Sequence, residues 1–220
     1  NELSLLVNGY CVDESEIRSL ECDLRRIWEQ KYRLTGVDKS IEDTRRRVAN
    51  AAAQAESKAR AKFWASKFFD AMADFAFLPA GRILPGAGSG RNVTLFNCFV
   101  MGRIEDDMTS IFDNVKEAAL TMQRGGGIGH DFSTLRLQCA VVKGVGAEAS
   151  GPVSFMDVWD AMCRTILSAG ARRDDSYHAI DHPDIEAFIA AKSDPLRLRN
   201  FNVSVLVTDV FMEAVREDSP

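Results

Sequence analysis

No apolar run in this sequence approaches the roughly 18 residues that cross a bilayer, and no basic-then-apolar leader with a cleavage site opens it. A soluble globular chain is the expectation. Positive charge is also short: 27 Lys and Arg stand against 32 Asp and Glu, a net charge of −5, so the basic footprint of a protein that coats DNA or RNA is missing. Any phosphate it binds belongs to a small molecule. Cysteine is scattered: Cys11, Cys22, Cys98, Cys139 and Cys163 form no CxxC and no metal spacing, and an odd count of five argues against a closed disulfide framework. A reducing cytoplasm fits best. His182 has no second His or Cys at ligand spacing, so a metal centre is not expected there. There is no internal repeat and no low-complexity segment. Asn1 in place of Met, and a stop at Pro220 just after a helical pattern, read as a chain cut at both ends.

What is present is enough apolar residue, 46% of 220 positions, for a sizeable core in one large domain or two small ones. Composition changes near Phe77, which predicts a helical domain over 1–76 and an α/β domain over 77–220. Helical spacing runs through Ile17, Leu20, Leu24 and Ile27-Trp28, and again from Ile41 to Met72, on either side of Thr35-Gly36-Val37-Asp38. Ser40 with Asp43 three positions on suits an N-cap. Beyond Pro79, Leu95 to Val100 and Phe201 to Val207 read as strands, and Ser110 to Gln123, Val153 to Ser168 and Ile185 to Ala191 as helices.

Three glycine-bearing stretches stand out. Pro79 to Asn92 carries glycines that expose backbone N–H groups to an anion, although a plain loop needs the same residues. Gly125-Gly126-Gly127-Ile128-Gly129 ends a helix, and four glycines exceed what a helix stop requires, which favours close approach of a ligand to the backbone. Neither fits GxxxxGK[ST] or a dinucleotide fingerprint. Ser168-Ala169-Gly170-Ala171-Arg172-Arg173 ends another helix on two guanidinium groups, which suit phosphate oxygens but are equally at home in solvent. Between the first two lies Asn97-Cys98 in an apolar, strand-like run. Alone, that cysteine could be a small buried hydrophobe.

Taken in order, Phe77 to Leu84, Val93 to Gly102, Gly125 to Leu135, Ala149 to Met156, Asp181 to Glu186 and Phe201 to Val205 resemble the large catalytic subunit of ribonucleotide reductase, most closely its adenosylcobalamin (vitamin B12)-dependent form. The resemblance implies an N-terminal helical region, without an ATP-cone, followed by the first part of a ten-stranded α/β barrel. It implies thiyl-radical reduction of a ribonucleotide, in which Cys98 is one of two cysteines that deliver electrons and end as a disulfide, reopened by a thioredoxin-type dithiol. Arg82, Asn97 and Gly127 would contact substrate, Gly127 through its backbone. Asp106 would meet the deoxynucleoside part of an effector, although a helix-start charge is an equal account of it. Arg136 and Lys143 would meet the effector phosphates, and Arg172 and Arg173 would belong to the loop that links effector to substrate. Cys11, Cys22, Cys139 and Cys163 fall outside these motifs and are expected to pack, as is His130. Two departures bear on function. Asp174-Asp175-Ser176-Tyr177-His178 replaces a Gly-Ala-Met-Met-like loop and is about two residues shorter, placing carboxylates where they would repel phosphate. The radical cysteine motif, the second reducing cysteine, a further phosphate loop and the redox tail lie beyond Pro220, so the remaining C-terminal part is a required partner, with a second copy of the chain another candidate.

Overall fold

The computed structural model describes residues 5–7, 10–12, 22–73, 76–142, 144, 146–166 and 174–219. The chain divides into two compact units, 1–95 and 96–220. The change of texture near Phe77 therefore lies inside the first unit. Among the described residues no helix is long and apolar enough to cross a membrane.

In the first unit β1 (Leu5–Val7) and β2 (Tyr10–Val12) pair antiparallel, with Leu6 opposite Cys11. Helix α1 (22–27) runs into a π-helical turn, Trp28–Tyr32; the part of the expected helix before Cys22 lies outside the described residues. The run from Ile41 to Met72 is two helices, not one: α2 (Ile41–Ala53) and α3 (Lys58–Ala71). Alanine-rich spacing continues through the break, but Ser57 is extended, which turns α3 back to lay Phe68, Phe69 and Met72 against Val48 and Ala49. The capping box at the start of α2 is present. Ser40 Oγ accepts from the Asp43 N–H (3.3 Å), and Asp43 Oδ2 accepts from the Ser40 N–H (3.1 Å).

A buried polar network ties this unit together. Asp38, whose side chain is inaccessible, accepts from Arg47 Nη2 (2.7 Å), Arg47 Nε (3.0 Å), Thr44 Oγ1 (2.7 Å) and the Leu34 N–H (3.0 Å). Trp28 Nε1 donates to Thr44 (3.0 Å). Arg47 reaches on to the carbonyls of Leu84 (2.9 Å) and Ala87 (2.5 Å), which fastens the short helix α4 (Ile83–Gly86) to α2 and explains why the unit extends past Phe77. Gly88, at φ +68°, backs directly on Arg47; a Cβ there would meet its backbone oxygen at 3.2 Å. Burial alone would raise the Asp38 carboxyl, but hydrogen bonds from Arg47, Leu34 and Thr44 and the charge of Arg47 outweigh it and hold the pKa down to about 2.

The second unit is a parallel sheet in sequential order: β3 (Cys98–Val100), β4 (Gly127–Asp131), β5 (Asp174–Ala179) and β6 (Phe201–Leu206). The crossovers carry α5 (Met108–Gln123), α6 (Pro152–Thr165) and α7 (Ile185–Ala190), and α8 (Asp209–Glu217) follows. Sequential parallel strands with helical returns are how an α/β barrel begins to wind. One sheet face is packed: Ile128, Phe132 and Phe201 join Ile111 and Met122 of α5, Met156 and Trp159 of α6, and Phe188 of α7. Two sequence expectations change here. β3 starts at Cys98 rather than Leu95, because Leu95 closes against Gly86, where a Cβ would come within 2.8 Å of it. Residues 174–179 form a strand rather than a shortened loop; their ladders to β4 and β6 pair them on both sides.

His178, fully buried on that packed face, is the chemical opposite of Asp38. Neither ring nitrogen has a hydrogen-bond partner among the described residues, and the ring lies 4.3 Å from that of His182 and 4.9 Å from Phe188. Burial, with the neighbouring His182 second, lowers its pKa to about 4.

Candidate active site and effector cavity

The other sheet face carries Cys98. Register pairs Cys98 with Gly127 and Val100 with Gly129, and the Gly127 N–H donates to Asn97 O (2.7 Å). Cys98 is exposed, so the reading of it as a buried small hydrophobe fails. A Cβ on Gly127 would stand 3.2 Å from Cys98 Sγ, and one on Gly129 would touch Tyr177 (3.5 Å) and Asp175 Cβ (3.7 Å). These distances show that the thiol, both glycines, Asp175 and Tyr177 share one face. The glycines leave it without side chains beside the sulfur. The other two glycines of the cluster have ordinary reasons: Gly125 ends α5 at φ +85°, and Gly126 sits where a Cβ would strike Phe99 and Thr121 at 2.8 Å. Gly127 and Gly129 are themselves buried, with Cys98 Sγ leaning toward the first and Tyr177 against the second.

A cavity of about 320 Å³ lies elsewhere in the same unit, lined among others by Asp106, Asp107, Leu135, Arg136, Glu148 and Phe155. The structure thus brings together the two described residues expected at an effector, and pairs them. Arg136 donates from Nε to Asp106 Oδ2 (2.8 Å), from Nη2 to Asp106 O (3.0 Å) and from its backbone N–H to Asp106 Oδ1 (3.2 Å). Asp106 stands one residue before the cap of α5, which is Asp107, whose Oδ1 accepts from the Ser110 N–H (3.0 Å). Three carboxylates and one guanidinium line this cavity, so an entering phosphate competes with Asp106 for Arg136. Lys143, Arg172 and Arg173 lie outside the described residues.

Arg82 belongs to the first unit, where Nη1 donates to Thr94 O (3.3 Å) and Nε is buried without a partner among the described residues. The packing expected of the remaining cysteines holds for Cys163, buried against Met122 (3.5 Å), but Cys22 and Cys139 are exposed, Cys139 in a tight turn at φ +64°. The Cys11 side chain lies outside the described residues. His130 is structural as expected, buried and bonded to Trp159 Nε1 (3.3 Å). His182 orders the start of α7: Nδ1 accepts from the Asp184 N–H (3.0 Å) and Nε2 meets Leu135 O (2.9 Å), which makes Nε2 the donor. Among the described residues no group of three or more His, Cys, Asp or Glu could hold a metal ion. Sequence reasoning missed Asn202, whose Nδ2 donates to Asp175 Oδ1 (2.9 Å) on the Cys98 face. Only the strand register reveals that pair.

Comparison with known proteins agrees with this fold. Residues 24–92 match the family described as "Ribonucleotide reductase, all-alpha domain" and residues 96–220 the family "Ribonucleotide reductase, barrel domain". The chain is 39% identical over 158 residues to a vitamin B12-dependent ribonucleoside-diphosphate reductase of Mycobacterium tuberculosis, covering 70% of this chain and 22% of that protein. It is 37% identical over 156 residues to the protein of the same description from Thermoplasma acidophilum, covering 70% and 20%. The class Id ribonucleotide reductase alpha subunit of Actinobacillus ureae superposes with a TM-score of 0.76 at 21% identity, over 90% of this chain and 35% of that one, which shows a shared fold. This chain spans about a fifth of the length of these curated relatives. Since the barrel-domain match alone takes in residues 96–220, more than half of the chain, the chain belongs to the ribonucleotide reductase large-subunit family.

Proposed function

We propose that this chain is part of a ribonucleotide reductase in which Cys98 supplies one of the two thiols that reduce the substrate. The observation that carries this reading is an exposed thiol on a sheet face whose neighbouring positions, Gly127 and Gly129, have no side chains. A ribose on that face would meet the thiol directly. In the balanced reaction the 2′ carbon–oxygen bond breaks and the oxygen leaves as water. Two thiols give up two electrons and two protons, and a disulfide forms between Cys98 and a second cysteine outside this chain. A thioredoxin-type dithiol reopens it by exchange, chemistry suited to a reducing cytoplasm. Asn97 holds the sugar edge beside the thiol.

When bound, adenosylcobalamin supplies the radical that starts the chemistry. The effector cavity, at about 320 Å³, does not enclose a corrin, so no residue of this chain is assigned to that group. That volume suits a mononucleotide, and the cavity takes a deoxynucleotide effector, Asp106 accepting from its sugar hydroxyl and Arg136 turning to its phosphates.

The test is Cys98→Ser in the full-length protein with adenosylcobalamin and a dithiol reductant. Deoxynucleotide formation should fall to background even in a single turnover, because one remaining thiol cannot deliver two electrons. Sustained turnover by the variant would remove Cys98 from this role.

A further inference from the structure

The Cys98 face presents a second group, placed there by the ladder. Val100, Gly129, Asp175 and Asn202 share one row across β3, β4, β5 and β6, and Cys98 and Gly127 share the row two residues back. With strands about 4.8 Å apart and same-face residues about 6.6 Å apart along a strand, the Cys98 and Asp175 backbones stand roughly 12 Å from one another. Gly127 and Gly129, which carry no side chains, lie between, with Tyr177 against Gly129. Aspartate is a poor strand former, and a carboxylate on an inner strand needs a reason other than the fold. Asn202 fixes it by donating to Oδ1, and Oδ2 accepts no hydrogen bond from a described residue. A fixed anionic acceptor therefore faces the thiol across a strip the length of a nucleoside. A phosphate is disfavoured at that end, because like charges repel.

We propose that Asp175, held by Asn202, is a substrate-orienting residue: its carboxylate accepts a hydrogen bond from the nucleoside part of a nucleotide lying over Gly127 and Gly129, and turns the phosphates away. The donor is a sugar hydroxyl or an exocyclic amine of the base. This inference rests on the reading of the Cys98 face as the substrate surface. It reverses the sequence expectation that the carboxylates at 174 and 175 merely spoil a phosphate loop.

The experiment measures binding of the four ribonucleoside diphosphates to the full-length protein by calorimetry, with the radical source withheld so that nothing turns over. Hydrogen bonds to charged groups are worth about 1.5–3 kcal/mol, so Asp175→Asn should weaken binding about 10-fold or more. Equal weakening for all four bases identifies a sugar hydroxyl as donor. Weakening for cytosine, adenine and guanine but not uracil identifies the exocyclic amine. Asn202→Ala, which leaves the carboxylate in place but unheld, should reproduce the same pattern at a few-fold, and serves if Asp175→Asn does not fold. Unchanged affinities in a protein that binds ribonucleotides would overturn the role of Asp175 and leave that of Cys98 standing. A wild-type protein that binds none of the four would overturn both.

Discussion

The two units bury ionisable groups in opposite ways. In the first, Asp38 is charged, inaccessible and satisfied four times over, and its partner Arg47 reaches on to hold α4 by its carbonyls. In the second, His178 is equally buried but neutral, with no hydrogen bond to either ring nitrogen among the described residues. A paired charge makes a unit dependent on its partner. An unpaired neutral base makes a unit dependent on the proton concentration.

The sharpest way to break this contrast is Arg47→Ala. Removing one member of a buried pair leaves the other charge uncompensated and costs about 3–5 kcal/mol. Amide hydrogen exchange in α2 and in residues 83–87 should accelerate accordingly, while that of β4 and β5 stays unchanged. Equal acceleration in the strands would show that the two units do not stand independently.

Acid should separate the units next. The His178 pKa falls from 6.5 in the unfolded chain to about 4 in the folded one. Below pH 6.5 the unfolded state binds the proton that the folded state refuses. The stability this group contributes is complete above pH 6.5 and is lost as pH falls toward 4, a change on the order of 3 kcal/mol. Asp38 behaves likewise at lower pH, because its pKa drops from 3.8 to about 2. Its contribution, on the order of 2 kcal/mol, is present above pH 4 and disappears toward pH 2. Exchange followed from pH 7 to pH 4 should therefore show the second unit loosening while the first does not. His178→Phe, which removes the titrating group beside Phe188, should flatten that response. A variant that keeps the same pH profile would show that another group titrates.

Much of this was legible in the sequence, and what was not has a physical cause. Ser40 and Asp43 announced their capping box because a cap is local. Helical spacing in α5, α6 and α7 was equally local. The break between α2 and α3 was hidden, since Gln54-Ala55-Glu56-Ser57 suits a helix and only tertiary packing of Phe68 and Met72 bends the chain there. Asp174 to Ala179 was misjudged for the converse reason: carboxylates are poor strand formers, and two flanking ladders overrule that preference. At the proposed substrate face the cysteine and its glycines were readable from their order. Asp175 and Asn202 were not, because 27 residues separate them and only the parallel register sets them side by side. Asp106 and Arg136, 30 residues apart, were each expected at an effector, yet their mutual ion pair was invisible until both were placed.

That pair gives the smallest effect on stability and completes the comparison. Unlike Asp38 and Arg47, Asp106 and Arg136 are about one-third exposed, so solvent screening limits their mutual attraction to about 0–1 kcal/mol. Asp106→Asn should barely change exchange in α5 or β4. Its consequence should be felt in anion binding instead. Tripolyphosphate has no sugar, so toward this probe Asp106 acts only as a competitor for the guanidinium. Calorimetry on the full-length protein should find tripolyphosphate bound a few-fold tighter in Asp106→Asn, and Arg136→Gln should abolish the heat that belongs to this cavity. Equal affinity in wild type and Asp106→Asn would mean that Asp106 does not compete with the anion for Arg136. A buried pair is built to stay closed, whereas a half-exposed one can exchange its partner for a ligand at little cost, which is why the weaker of the two ion pairs is the one suited to an effector.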